Sequence, residues 1–372
     1  MPRAQDATTW TPEIKRKNAA SEGPTVWTRA DRRDGSRPSE VVPDPIDPQP
    51  PAGVLMSTTF DEEPDWNPGI SGSTSNSHWR HRGHALPLGA IAASSYNTHP
   101  PSTGGKWAIE LSEGGSRSAG GKTLKLRRYS KSGSYSGDGQ LVFDFPEGHS
   151  ELFVKMAFRF QGGWSDGGKS KMLRIECKTL ALDDSPAMFG TPICGLLWGY
   201  DRTSFGVRNN LTFAPRPFND PAPISIPAQL SNGSVSLNFT THPHDLNGDG
   251  TPDNDPQIPD LVNGGTLPDD SGFIAGHDNV YGEEWHEVAF YVAMNSAAGV
   301  PDGVMRQWLD GALLVDTNVA WAQSGGSTAN RFNAVAIGGN DQWSDFPDEQ
   351  QVVQEWFCDE LLISTGLPQE YQ

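Results

Sequence analysis

Apolar and polar residues alternate with a period of two along much of this chain, most clearly over residues 285–315. His286, Val288, Phe290, Val292 and Met294 fall on one face, and Glu287, Ala289, Tyr291, Ala293 and Asn295 on the other. That is the pattern of a half-buried strand. The connector 296–303 carries the Gly, Pro and Asp-Gly signals of a turn. A second strand over 304–309 then reaches the tight turn Asp310-Gly311, and a third begins at Ala312. Residues 171–178 alternate as cleanly, with Arg174, Glu176 and Lys178 on one face and Leu173, Ile175 and Cys177 on the other. Further strands are predicted around 54–61, 107–111, 124–128, 151–160, 193–200, 204–208, 235–239, 334–337 and 355–363. A sustained 3.6-residue period is rare. Short strands between Gly-rich turns predict an all-β chain, a two-sheet antiparallel jelly-roll sandwich in which each sheet buries one face.

Composition divides the chain of 372 residues into three parts. Residues 1–40 are polar and mixed in charge, with 8 Lys/Arg against 6 Asp/Glu, and are expected to be an extended N-terminal anchoring arm. Residues 41–53 are Pro-rich and predict a stiff spacer. Residues 54–372 are long enough to bury one large β domain. The 41 Gly, 30 Pro and 12 Trp suit turns and aromatic-rich surfaces. The net charge of -18 argues against a nucleic-acid partner, which calls for a basic field. No apolar run is long enough for a membrane span, and the N-terminus lacks the apolar stretch of a secretory signal. Cys177, Cys194 and Cys358 show neither zinc spacing nor a disulfide framework; Cys177 and Cys358 sit in apolar strand patterns as buried hydrophobes.

The Trp285-His286-x-Val288 strand, the Asp310-Gly311 turn, the opening Phe60-Asp61 and the closing run 356–365 (WFCDELLIST) carry a resemblance. Together they resemble the concanavalin A-like lectin/glucanase superfamily, notably its polysaccharide-lyase-like and laminin-G-like members, over roughly residues 54–372. The resemblance implies that the opening strand pairs near the last one and that the polar face of one sheet lines a sugar groove. It places Arg174, Glu176, Lys178, Tyr291, Arg306 and Trp308 on or near that face as carbohydrate-binding residues. There Arg and Lys would neutralise uronate carboxylates, and a Tyr or His would exchange protons with the ring. The same residues also suit a solvated outer face held by cross-strand ion pairs. No catalytic Tyr/His pair can be mapped. The glucanase E-x-D-x-E spacing, the nucleophile elbow, the P-loop and the dinucleotide fingerprint are absent. Trp164, Trp198, Tyr200, Trp308, Trp321 and Trp343 are candidates for stacking on sugar rings, though some must belong to the core.

Residues 245–255 (DLNGDGTPDND) follow a calcium-loop spacing. Asp245, Asn247, Asp249 and Asp253 would offer side-chain oxygens and Thr251 its carbonyl to one Ca2+. Pro256 stands where an EF-hand has its last Glu, so the loop is closer to thrombospondin-type or dockerin-like sequences. A polar surface turn is the alternative.

Three functions fit. The first is a bacteriophage virion protein, a tail or capsid appendage, docked to other virion proteins through residues 1–50. It would sit in many copies on the particle and present a lectin-like jelly roll to a host-surface glycan. The second is a polysaccharide lyase that cleaves a uronate-containing polysaccharide by β-elimination, in an extracellular setting. The third is a purely structural virion protein.

Overall fold

The structure is a computed structural model. It describes residues 53–66, 92–96, 108–130, 137–165, 167–178, 193–203, 206–214, 230–231, 237–241, 276–327, 329–347, 349–350 and 352–372. All of them belong to one compact unit, Pro50–Gln372. The expected arm at 1–40 and the calcium loop at 245–255 lie outside the described residues.

The described chain is nearly all strand. In order come β1 (Val54–Thr58), β2 (Ala92–Tyr96), β3 (Ile109–Glu113), β4 (Lys122–Tyr129), β5 (Gly137–His149), β6 (Glu151–Phe160), β7 (Lys169–Cys177) and β8 (Cys194–Thr203). There follow β9 (Gly206–Ala214), β10 (Leu230–Ser231), β11 (Leu237–Thr241), the one-turn α1 (His277–Val280), β12 (His286–Ala293), β13 (Gly303–Leu309), β14 (Ala312–Val319), β15 (Phe332–Asp341) and β16 (Val353–Ser364). They form two eight-stranded sheets with every pairing antiparallel, a jelly-roll sandwich as the alternation predicts. The first sheet runs β14-β13-β12-β6-β16-β4-β3, with β1 also paired to β16; the second runs β10-β11-β9-β8-β7-β15-β5-β2. The opening strand does pair with the closing one, Met56 facing Ile363.

Alternation builds the core. Leu152, Val154, Met156, Phe158 and Phe160 of β6, with Val288, Phe290 and Val292 of β12, meet Leu196, Trp198 and Tyr200 of β8 and Leu211 and Phe213 of β9. The Phe158 and Trp198 rings pack edge to face at 5.2 Å across the two sheets. One polar link crosses the same interior. Asn209 Nδ2 donates to Gln307 Oε1 (2.8 Å), Gln307 Nε2 donates back to Asn209 Oδ1 (3.0 Å), and the Trp198 indole N–H donates to that same oxygen (2.7 Å). Each of these amides answers the other's hydrogen-bonding need where no water enters.

The two sequence signatures 285–288 and 310–311 prove to be halves of one contact. His286 Nδ1 lies 2.8 Å from Asp310 Oδ2, and its Nε2 lies 2.6 Å from the Tyr281 carbonyl. Asp310, at φ 50°, also accepts from the Glu287 N–H at 3.0 Å. The motif therefore pins the β13–β14 turn to the start of β12.

Most of the aromatic candidates for sugar stacking are core residues. Trp198, Tyr200, Trp321 and Trp343 are each 1 % exposed and Trp164 is 4 % exposed. Trp164 and Trp343 instead enclose the buried guanidinium of Arg128, whose carbon lies 3.8 and 4.6 Å from their ring centres. That guanidinium donates to the carbonyls of Ser165 (2.7 Å) and Gly167 (2.9 Å) and to Gln354 Oε1 (2.9 Å). A buried cation is tolerated here because aromatic faces and oxygen acceptors replace its water.

Candidate functional site

Strand β7 lies in the interior of the second sheet, between β8 and β15. Its Leu173, Ile175 and Cys177 enter the core, so Arg174 and Glu176 turn outward, with Lys178 just past the strand end. Register places Ala336 and Leu197 on either side of Arg174, and Ala334 and Gly195 on either side of Glu176. The charged side chains on the middle strand thus stand among apolar neighbours, and those flanking Glu176 are small. Beyond β15, the outward residues of β5 are Gln140, Val142 and Asp144, paired with Gly338, Ala336 and Ala334.

This face is not a solvated surface. Arg174, Glu176 and Lys178 are only 7, 5 and 5 % exposed, and Gln140 is fully buried. Lys178 Nζ lies 2.6 Å from Glu176 Oε2 in an ion pair. Burial, and secondarily the charge of Arg174, pull the Lys178 ammonium below the ordinary lysine value, while Glu176 opposes the shift. Burial likewise raises the Asp144 carboxyl above its usual range. Among the described residues, neither amide atom of Gln140 has a hydrogen-bonding partner.

The position of Lys178 is fixed by a device that strand propensity does not reveal. The β15–β5 register breaks between Phe332 and Ala334, where β5 bulges over residues 145–148 and leaves Asn333 without a partner in that ladder. The freed Asn333 side chain accepts from the Lys178 backbone N–H (2.9 Å) and donates to its carbonyl (2.8 Å). An amide side chain thereby stands in for a strand and extends the ladder by one residue.

The expectation of a single face shared by all six carbohydrate candidates is corrected. Arg174, Glu176 and Lys178 belong to the second sheet, whereas Tyr291, Arg306 and Trp308 point outward from β12 and β13 of the first. The outward sides of a sandwich's two sheets face opposite directions. Trp308, 7 % exposed, packs with Phe153, Ala289 and Tyr371 beneath the C-terminal turn, its ring 5.1 Å from that of Tyr371. Tyr291 donates its hydroxyl to Glu151 and holds its proton, its pKa raised first by burial and then by that carboxylate. Arg306 Nε pairs with Asp316 at 3.0 Å across β13 and β14. These three residues stabilise the outer side of the first sheet.

Sequence reasoning missed Gln140, Asp144 and Asn333. For the first two a signal existed: Gln140, Val142 and Asp144 alternate with Leu141, Phe143 and Phe145. The metal-site candidates Asp245, Asn247, Asp249, Thr251 and Asp253 lie outside the described residues. Among the described residues no cluster of three or more His, Cys, Asp or Glu is placed to hold a metal ion. No helix among them is long and apolar enough to cross a membrane.

No protein-family model matches the chain, and no curated protein sequence does either. Similar solved structures include a variant of the alginate lyase Aly36B in complex with alginate trisaccharide, at 12 % identity over 74 % of this chain and 88 % of that one (TM-score 0.42). The alginate lyase vAL-1 from Chlorella virus is similar at 12 % identity over 69 % of this chain and 89 % of its own (TM-score 0.36). A variant of LamA from Z. galactanivorans, in complex with laminaritriose and laminaritetraose, is similar at 12 % identity over 84 % of this chain and 99 % of its own (TM-score 0.39). None of these similarities assigns a residue role or an activity to this chain.

Proposed function

We propose that the outward face of the second sheet binds an acidic polysaccharide and cleaves it by β-elimination beside a uronate carboxylate. The observation that carries this reading is the buried Arg174–Glu176–Lys178 column on β7, in which the lysine holds its proton less tightly than usual. Arg174 offers a planar, permanently charged fork to a carboxylate, which acidifies the hydrogen on the adjoining ring carbon. Once Lys178 has released its own proton to solvent, its amine takes the ring proton, and Glu176 stabilises the ammonium so formed. The C–H electrons become the new ring double bond, the bond from the neighbouring carbon to the glycosidic oxygen breaks, and the departing oxygen is protonated by the ammonium just formed or by water. Glu176 and Asn333 hold Lys178 in place, and Gln140 and Asp144 border the site on the β5 side.

The test is incubation with a panel of uronate polysaccharides, followed by the ultraviolet absorbance of unsaturated products and by direct binding. Lys178→Ala should abolish product while retaining binding, and Arg174→Ala should weaken binding by roughly 10-fold or more. Binding without product in the wild-type chain would overturn the elimination step and leave a lectin-like groove, as an appendage that holds a host-surface glycan would need. Absence of both would overturn the groove itself.

A further inference from the structure

The sequence offers no disulfide framework, yet the register of the second sheet creates a cysteine pair. Cys177 and Cys194 are direct partners on the neighbouring antiparallel strands β7 and β8, and both turn into the core. Residues directly opposite in such a pair hold their Cα atoms about 4.5–5.5 Å apart. That lies inside the span of about 4.4–6.8 Å over which a disulfide closes. Gly195 lets the strands approach at this point: a Cβ there would lie 2.5 Å from the Ile175 carbonyl oxygen and 2.8 Å from Glu176 Cα. Both thiols are free and buried. Cys358 does not compete, because it lies in the first sheet with its sulfur 3.6 Å from that of Met156.

We propose that Cys177 and Cys194 are a cross-linking site, a disulfide that joins β7 to β8 and fixes the end of β7 bearing Glu176 and Lys178. One of the two thiolates attacks a small disulfide such as oxidised glutathione, forming a mixed disulfide and expelling one small thiolate. The other cysteine gives its proton to that thiolate and attacks the protein sulfur of the mixed disulfide, expelling the second small thiolate. Two protein thiols are oxidised and one small disulfide is reduced to two thiols. Because both sulfurs are buried in the folded chain, the exchange takes place during folding, before the sheets close.

The cross-link is independent of what the groove binds, and its readout is mass, not activity. The full chain is secreted into the bacterial periplasm, where disulfides form, and in parallel refolded from denaturant in a glutathione buffer. Each preparation is denatured without reductant in N-ethylmaleimide. Of the three cysteines only Cys358 should be alkylated, and proteolysis should yield a 177–194 linked peptide pair that reductant separates. Cys358→Ser should retain the linked pair with no alkylated thiol, whereas Cys194→Ala should leave Cys177 open to alkylation. Closing a loop of about 16 residues should raise the thermal midpoint of the oxidised chain over the reduced one by about 3–6 °C. Three alkylated thiols in both preparations, or a linkage through Cys358, would overturn the proposal.

Discussion

Replacing Gln307 by methionine keeps the length of the side chain but removes the amide that joins the two sheets. Asn209 Nδ2 then loses its acceptor, while Asn209 Oδ1 keeps the Trp198 indole N–H at 2.7 Å. One orphaned donor in a dry interior costs about 1–3 kcal/mol. Asn209→Leu should be worse, because it strands the Trp198 N–H and both ends of the Gln307 amide; three such groups sum to about 3–9 kcal/mol. The double variant leaves only the indole N–H unmet, so its cost should fall back to about 1–3 kcal/mol. Adding Gln307→Met to Asn209→Leu is thus expected to stabilise the protein, whereas added to the wild type it destabilises. Urea unfolding followed by tryptophan fluorescence measures all four corners of this cycle. If Gln307→Met costs the same in both backgrounds to within about 0.5 kcal/mol, the amides do not act as a pair and the reasoning fails.

Trp308→Ala should lower stability by about 3–5 kcal/mol, by emptying the cluster under the C-terminal turn, and leave polysaccharide binding unchanged; calorimetry beside a binding isotherm checks both halves. Lys178 binds its proton more weakly when folded, so between its lowered value and the ordinary lysine value of about 10.4 the unfolded chain carries more protons and stability rises with pH. Lys178→Met should flatten that slope in melting curves taken across the alkaline range, and an unchanged slope would place the titration elsewhere. At the loop 245–255, chelation should lower the melting temperature, and Asp249→Ala should remove the response. If chelator leaves the wild-type curve unmoved, the segment is only a turn.

Which face a residue takes was legible from the sequence; which sheet it joins was not. Tyr291 and Trp308 do point away from the core, as alternation over 288–309 predicts. Their separation from Arg174 follows from pairings that no local window contains: β12 joins β6, while β7 joins β15 more than 150 residues later. Strand β5 escaped notice although Leu141, Phe143 and Phe145 mark it, because a Gly-rich start and Pro146 obscure its ends. The pairing of Cys177 with Cys194 and the Asn333 bridge to Lys178 are properties of register and of a bulge. Spacing along the chain cannot express either. The Trp285-His286 and Asp310-Gly311 motifs were readable as words, and the structure supplies their sense in the contact between His286 and Asp310.

Strand β16 pairs with β6 along one side and with β4 and β1 along the other, so the interior of the first sheet is completed by its last strand. During synthesis this makes the sandwich a keystone arch. Until residues 353–364 leave the ribosome, β6 and β4 each expose a hydrogen-bonding edge that has no neighbour yet. The nascent chain cannot settle segment by segment from its start, and the long sequence separation of these contacts slows closure once it begins. A ribosome that stalls short of residue 353 releases a chain with two open edges and an uncovered apolar face, which other strands can join. The emergence of residues 353–364 is therefore the step that separates a chain whose first sheet can close from one that offers its edges to other strands.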